Sequence, residues 1–113
     1  MKSYKKLFTE SGFTFNGKHY GDKSFTMNYY MLVKDILDGV HGSTPNPTTL
    51  SKMFMSTVSL DYNSLPHSVK ERKSYKELGD IYVLTNKDIK GFEQAITRIG
   101  NYMDMKVMFH RYI

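Results

Sequence analysis

The sequence predicts an α+β protein, a single two-layer domain in which about four strands form one sheet with helices packed on it. Three observations support this class: a hairpin signal near the start, an amphipathic helix after it, and a strand–helix–strand pattern at the end. The chain has 113 residues, 40% hydrophobic and 14% aromatic, which suits one buried core and is too aromatic for disorder. We expect one domain over residues 1–113, with residues 1–10 as a flexible basic N-terminus.

The first element is a predicted hairpin over residues 13–20. Asn16 and Gly17 supply the two residues of positive φ that a type I′ turn needs. Threonine, phenylalanine and tyrosine, which suit strands, stand on both sides of that pair.

The second element is a predicted helix that runs to about Asp38. Ser24 or Thr26 is the expected N-cap, and Gly39 stands where a glycine commonly follows the end of a helix. The apolar residues recur at the spacing of one helical face. They are Tyr29, Leu32, Val33, Ile36, Leu37 and Val40.

Two interpretations are open for the middle of the chain. Asn46 followed by Pro47 is a usual N-cap and first-position pair, so we expect a short helix from Pro47 to about Met55. The competing interpretation is a strand over residues 54–60. Residues 61–79 are polar and are expected to form a long loop, which at this length is functional or mobile.

The last third of the chain predicts one β-α-β unit. Residues 80–85 are a strand pattern, and residues 105–109 alternate as a strand requires. Between them, apolar residues three and four apart predict a helix with one buried face. They are Ile89, Phe92, Ile96, Ile99 and Met103. Both strands are expected in the same sheet as the hairpin.

Charge and composition restrict the location and the partners. Sixteen Lys and Arg against eleven Asp and Glu give a net charge of +5, which favours nucleic acid or an acidic protein surface as partner. No apolar stretch suits a signal peptide or a membrane span. We therefore expect a cytoplasmic protein, in the producing or the host cell, without membrane contact.

No catalytic pattern is recognisable in the sequence. The chain lacks cysteine, and no two of its four histidines are three or four residues apart, so no local metal site is predicted. A nucleophile elbow and a phosphate-binding glycine loop are also missing from the sequence. We expect no enzyme activity, no catalytic residue, no metal and no cofactor.

Basic residues beside aromatic ones form the most suggestive functional pattern. Cations neutralise phosphates, and exposed tyrosines stack on unpaired bases. The plain structural interpretation is that lysine is common on surfaces and tyrosine on strands. The densest cluster of such residues lies in the predicted loop and the strand after it. The predicted nucleic-acid-binding residues are Lys70, Arg72, Lys73, Tyr75, Lys76 and Tyr82.

The order of the motifs resembles a small module of bacterial proteins associated with restriction and defence. The matching positions are Phe13, Phe15, Asn16, Gly17, Lys18, Tyr20, Ser24, Phe25 and residues 81–86. Phe25 stands where the module leads us to expect tryptophan. The resemblance implies a nucleic-acid-handling or accessory setting and transfers no catalytic residue. The composition is also similar to that of bacteriophage accessory proteins.

The leading hypothesis is a non-enzymatic module that binds nucleic acid through a basic, tyrosine-containing surface. The alternative is a phage-encoded inhibitor or accessory factor that binds a host protein, either an enzyme or part of a defence system. A third hypothesis is a homodimer formed through an open sheet edge at residues 106–113.

Overall fold

The structure, a computed structural model, describes residues 12–21 and 24–110. The flexible N-terminus predicted over residues 1–10 lies outside the described residues. The chain divides into two compact units, Met1–Thr44 with Gly100–Ile113, and Pro45–Ile99. Each unit contains helical segments and a three-stranded sheet, which confirms the α+β class. The single domain over residues 1–113 stays a prediction.

The described residues form short strands and four α-helices. In chain order these are β1 (Phe13–Phe15), β2 (Lys18–Tyr20), α1 (Phe25–Leu37), α2 (Pro47–Met53), β3 (Val58–Ser59), a 3₁₀ helix (Tyr62–Ser64), α3 (His67–Arg72), β4 (Tyr75–Leu78), β5 (Ile81–Leu84), α4 (Ile89–Met103) and β6 (Val107–Phe109).

The sheet of the first unit has the order β2-β1-β6, with antiparallel pairing throughout. The hairpin is confirmed, because Asn16 and Gly17 have φ values of 50° and 85°, the positive φ that a type I′ turn requires at both central residues. Phe13 stands opposite both Tyr20 and Phe109. All three side chains therefore share the face of the sheet on which Phe13 is fully buried.

Helix α1 begins and ends close to the predicted positions. Ser24, and not Thr26, is the N-cap, since its hydroxyl accepts a hydrogen bond from the amide of Met27 at 3.3 Å. Gly39 has a φ of 79° directly after the C-cap. Val40 lies beyond that glycine and is 53% exposed, so its predicted place on the apolar face is wrong. The fully buried face consists of Tyr29, Leu32, Val33 and Ile36.

The second unit starts with the short helix that Asn46 and Pro47 predicted. The Asn46 side chain accepts a hydrogen bond from the amide of Thr49 at 2.9 Å, which is the usual N-cap contact. The helix ends at Met53, two residues before the predicted end. The competing strand exists only as the two residues Val58–Ser59.

The prediction of a long loop over residues 61–79 is wrong, because the 3₁₀ helix, α3 and β4 lie within it. Leu65 and Val69 are buried, 4% and 1% exposed, so this polar segment still has two apolar anchors at helical spacing. Gly79, with a φ of 60°, allows the tight turn by which Leu78 pairs with Ile81.

The prediction of one sheet with about four strands also needs correction. The second sheet has the order β3-β5-β4, whereas β6 pairs with β1 in the first sheet. The two strands of the predicted β-α-β unit therefore lie in different sheets, because β3 and the missed strand β4 occupy the two sides of β5. Helix α4 between them is confirmed, although Ile89 in its first turn is 55% exposed.

Candidate functional site

Three tyrosines form a cluster on the second unit. The ring centroids of Tyr75 and Tyr82 lie 5.5 Å apart, and Tyr62 lies 6.1 Å from the first and 5.7 Å from the second. All three pairs meet edge to face, the arrangement that aromatic quadrupoles prefer. We call these residues the tyrosine cluster. It brings together two residues that the sequence predicted for base stacking and adds a third.

The β4–β5 hairpin positions two members of the cluster. In its register Tyr75 stands opposite Leu84, and Glu77 stands opposite Tyr82, so both tyrosines project from one face. Tyr75 and Tyr82 pack there against a small buried core of Leu65, Val69 and Leu84. Desolvation raises the pKa of Tyr75 above its ordinary value of 10.0, so its hydroxyl is neutral at physiological pH.

Tyr62, the third member, is held by a capped 3₁₀ turn. The carboxylate of Asp61 accepts hydrogen bonds from the amide of Ser64 at 2.9 Å and from its hydroxyl at 2.8 Å. These bonds fix the turn in which Tyr62 stands, and Tyr62 is 43% exposed. The sequence prediction missed Tyr62 because the segment was assigned to a loop. The Asp61-x-x-Ser64 spacing was the signal for a local turn.

Three of the predicted cations lie on α3 or at its C-terminal end. The Lys70 ammonium lies 5.2 Å from the centre of the Tyr62 ring, a cation–π distance, and 3.4 Å from the carbonyl oxygen of Asn63. Arg72 and Lys73 are exposed at the end of α3, where Lys73 has a φ of 53°. We call Lys70, Arg72 and Lys73 the basic segment. It places positive charge beside the exposed ring.

The fourth predicted cation, Lys76, points away from the tyrosine cluster. It stands opposite Val83 in the hairpin, one residue along from Tyr75. Because successive strand residues point to opposite faces, Lys76 lies on the face of the sheet away from the tyrosine cluster. The structure therefore does not bring Lys76 together with the other predicted residues.

A pocket of about 610 Å³ opens beside the cluster, and the sequence analysis did not predict it. Its floor includes Phe54, Val69 and Leu84, all at most 5% exposed. Val69 and Leu84 also belong to the core under the tyrosines, so pocket and cluster share a wall. Its polar lining is unusually rich in serine and consists of Ser51, Ser56, Ser59, Asp61, Ser64, Ser68, Asn86 and Lys87.

The first unit contains a different polar cluster, in which Tyr20, Asp35 and His41 are buried and Lys18 reaches them from the surface with a side chain that is 49% exposed. The Asp35 carboxylate accepts hydrogen bonds from the Lys18 ammonium and from the Tyr20 hydroxyl, both at 2.6 Å. The Tyr20 hydroxyl is also 2.7 Å from Nε2 of His41. Tyr20 donates its only proton to Asp35, so His41 donates from Nε2 to the Tyr20 oxygen. We call Lys18, Tyr20, Asp35 and His41 the buried network.

Burial and hydrogen bonding act together on the pKa of Tyr20 and against each other on the pKa of Asp35. Desolvation by burial is the main cause that raises the pKa of Tyr20 far above its ordinary value of 10.0. Desolvation also lowers the pKa of His41. At Asp35 burial acts to raise the pKa, but hydrogen bonds from Lys18 and Tyr20 outweigh it and lower the pKa. The network is therefore stable with Asp35 charged, and with Tyr20 and His41 neutral.

A pair of histidines lies on the outer side of the first sheet. The Thr14 hydroxyl is 2.7 Å from Nε2 of His110 and 3.4 Å from Nδ1 of His19. No group of three or more His, Asp or Glu able to hold a metal ion occurs within residues 12–21 and 24–110. In that same part of the chain, no helix has the length and apolar character to span a membrane.

Comparison of the chain with models of protein families, with curated proteins and with solved structures gives no match. The resemblance to modules associated with restriction and defence therefore stays a prediction. Any argument about function starts from the side chains of the tyrosine cluster, the basic segment and the pocket.

Proposed function

We propose that this protein binds single-stranded nucleic acid through the tyrosine cluster and the basic segment, and that it does so without catalysis. The observation that carries the proposal is the position of the Lys70 ammonium, 5.2 Å from the centre of a ring that is 43% exposed. One surface thus offers a stacking group and, over its ring, a phosphate-binding group. We assign this role to the cytoplasm, as the sequence predicts.

The aromatic part of the argument concerns unpaired bases. Base–aromatic stacking contributes about 1 to 3 kcal/mol per base and does not depend on sequence, because every base has a π face. Tyr62 is the most exposed member of the cluster and is its main stacking group. Tyr75 and Tyr82 support it edge to face, which holds the ring in place before a base arrives and reduces the entropy cost of binding.

The electrostatic part concerns the phosphates. Among the described residues, no ion pair includes a side chain of the basic segment, although Lys70 is near enough to Asp61 to help lower the pKa of that carboxyl. Glu77 projects from the same face as Tyr75 and stands opposite Tyr82. Its negative charge would repel a strand, so we expect the path of the nucleic acid to run over Tyr62 and α3, away from Glu77.

A titration of a labelled single strand tests the proposal. We expect fluorescence anisotropy to show binding to an oligonucleotide of about 12 nucleotides, a length that a site of this type covers. Affinity should fall steeply between about 50 and 200 mM salt, because bound phosphates release counterions. Tyr62→Ala should lose about 1 to 3 kcal/mol of binding free energy.

Tyr102→Ala is the matched control, since Tyr102 is 49% exposed on α4 and lies outside the cluster. It should bind as the wild type does. Lys70→Gln should weaken binding and reduce the salt slope by about one, as expected for one phosphate contact. An absence of binding at low salt, or equal losses in Tyr62→Ala and Tyr102→Ala, would contradict the proposal and favour the protein-binding alternative.

A further inference from the structure

The pocket beside the tyrosine cluster is built like a small-molecule site. Its volume of about 610 Å³ falls within the range of ligand pockets, and such pockets combine an apolar floor with a few polar groups that orient the ligand. Here the apolar surface open to a ligand comes from Val58 and Leu60, which are partly exposed above the buried base of the pocket. Ser56 and Ser68 on the rim are exposed. A flat, mostly apolar ring could pack against the apolar lining, and its polar substituents could form hydrogen bonds with the rim.

Several polar groups of the rim face solvent and make no hydrogen bond to the described residues, so a ligand would replace only water there. In the described part of the protein, no hydrogen bond involves the side chains of Ser51, Ser56, Ser68, Asn86 or Lys87. All five can donate a hydrogen bond, and Lys87 is also positively charged. They contrast with Ser59, whose hydroxyl donates to the carbonyl of Asp61 at 2.6 Å. The unused groups therefore suit a ligand that carries a negative charge and several acceptors.

Asp61 restricts where that negative charge can lie. Hydrogen bonds, first from the Ser64 hydroxyl and then from the Ser64 amide, lower the pKa of Asp61, so its carboxylate is ionised. An anion near Asp61 would be repelled, and it would be attracted near Lys87. The remaining lone pairs of Asp61 can accept hydrogen bonds from ligand hydroxyls. The preferred ligand thus has an anion at one end and hydroxyl donors at another.

We propose that the pocket binds a phosphorylated nucleoside, with the phosphate at Lys87 and Asn86, the ribose hydroxyls near Asp61 and the base against Val58 and Leu60. A nucleotide joins an aromatic ring, a hydroxyl-bearing sugar and an anion, which is the combination that this lining accommodates. The inference goes beyond the strand-binding surface, because a free nucleotide can occupy the pocket whether or not Tyr62 binds a strand. The ligand is either a free nucleotide or the phosphorylated end of a strand.

Calorimetric titration with adenosine 5′-monophosphate tests this assignment. We expect saturable binding, with adenosine and inorganic phosphate each at least about tenfold weaker, because each lacks one of the two anchoring parts. Lys87→Gln should weaken binding of the monophosphate by about tenfold while leaving binding of adenosine unchanged. Lys90→Gln, which removes an exposed cation from α4 outside the pocket, should bind as the wild type does.

A second variant guards against an effect on folding. Ser68 is exposed on α3 and lines the rim, so Ser68→Leu should keep the melting temperature and abolish binding by filling the mouth of the pocket. The proposal is overturned if the monophosphate does not bind, if inorganic phosphate binds as well as the monophosphate, or if Lys87→Gln and Lys90→Gln behave alike.

Two oligonucleotides separate the sources of the nucleotide. If Lys87→Gln weakens a 5′-phosphorylated strand but not its 5′-hydroxyl counterpart, the pocket takes a strand end. If the monophosphate binds and both strands behave alike, the pocket takes the free nucleotide. Tyr62→Ala should keep its affinity for the monophosphate, so failure of the strand-binding proposal would be seen separately from failure of this one.

Discussion

The buried network of the first unit and the tyrosine surface of the second unit use similar side chains in opposite ways. In the network, Lys18 and Tyr20 both donate to Asp35, whose side chain is only 8% exposed, and His41 pairs with the Tyr20 hydroxyl. On the surface, the Lys70 ammonium lies over a half-exposed tyrosine ring and no ion pair in the described residues includes it. Similar chemistry thus stabilises the fold in one place and is available to a ligand in the other.

The difference follows from desolvation. A polar group that leaves water must find a partner, and among the described residues no buried side-chain nitrogen or oxygen lacks one. A group that stays at the surface keeps its water, and it can exchange that water for a phosphate or a base at little cost. Substitutions in the network should therefore change stability and leave binding intact, whereas substitutions on the surface should do the reverse.

The largest expected effect is the loss of Asp35. Asp35→Ala removes the acceptor shared by Lys18 and Tyr20, and should lower the free energy of unfolding by about 2 to 3 kcal/mol, since both bonds are short and have an ionised carboxylate as acceptor. Asp38→Ala breaks the exposed pair with Lys34 and should change the free energy of unfolding far less, because water and salt screen an exposed ion pair. Urea unfolding measures both, and equal losses would contradict a special role for the network.

The turn that presents two tyrosines gives the next largest effect. Gly79 has a φ of 60°, and an alanine in this left-handed conformation costs about 1 to 2 kcal/mol. Gly79→Ala should therefore destabilise the β4–β5 hairpin by that amount. Gly79→Asn should cost less, because asparagine tolerates this conformation. Thermal unfolding compares the two, and an equal loss in both would argue against the turn geometry.

Stability should also fall as the pH drops below neutral. Burial lowers the pKa of His41 in the folded protein from its ordinary 6.5, so below about pH 6.5 the unfolded chain takes up the proton first. The stability from neutral His41 is complete above that pH and is lost as the pH falls towards the folded pKa. For one proton the slope is at most about 1.4 kcal/mol per pH unit.

Urea unfolding between about pH 7 and pH 5 isolates this effect, since the stability that Asp35 contributes is constant in that range and is lost only below its ordinary pKa of 3.8. His41→Gln should flatten the dependence. His67→Gln is the matched control, because the His67 side chain is 92% exposed. A slope that survives in His41→Gln would show that another group causes it.

The smallest expected effect comes from the replacement of Lys73, which should raise stability but weaken binding. Lys73 has a φ of 53° at the C-cap of α3, where glycine is favoured. Lys73→Gly should raise the free energy of unfolding by about 0.5 to 1 kcal/mol. It should also weaken binding of a single strand through the loss of one cation. A variant that gains stability and keeps full affinity would remove Lys73 from the basic segment.

Local signals in the sequence predicted local structure well. Asn16-Gly17 determined the first hairpin, and the spacing of Phe92, Ile96 and Ile99 determined the buried face of α4. Residues 61–79 were misassigned because their charges and Pro66 outweighed two weaker signals. These were Leu65 with Val69 at helical spacing, and the Gly79-Asp80 turn.

Features that depend on residues far apart in the chain could not be predicted from the sequence. Which strands share a sheet depends on pairing over long distances, such as Phe13 with Phe109, and no local pattern encodes it. The buried network joins Lys18 to Asp35, and the pocket collects residues from Ser51 to Lys87. The opposite faces of Tyr75 and Lys76 were predictable from strand alternation, but only once β4 is recognised as a strand.

One measurement tests the contrast between the two regions most directly. Backbone amide NMR shifts would be recorded while a single-stranded oligonucleotide is added at low salt. The account predicts that the largest changes occur at Tyr62, at Lys70 and along the β4–β5 hairpin, with little change at Tyr20 and Asp35. Changes centred on the buried network, or none at the tyrosine cluster at saturation, would contradict it.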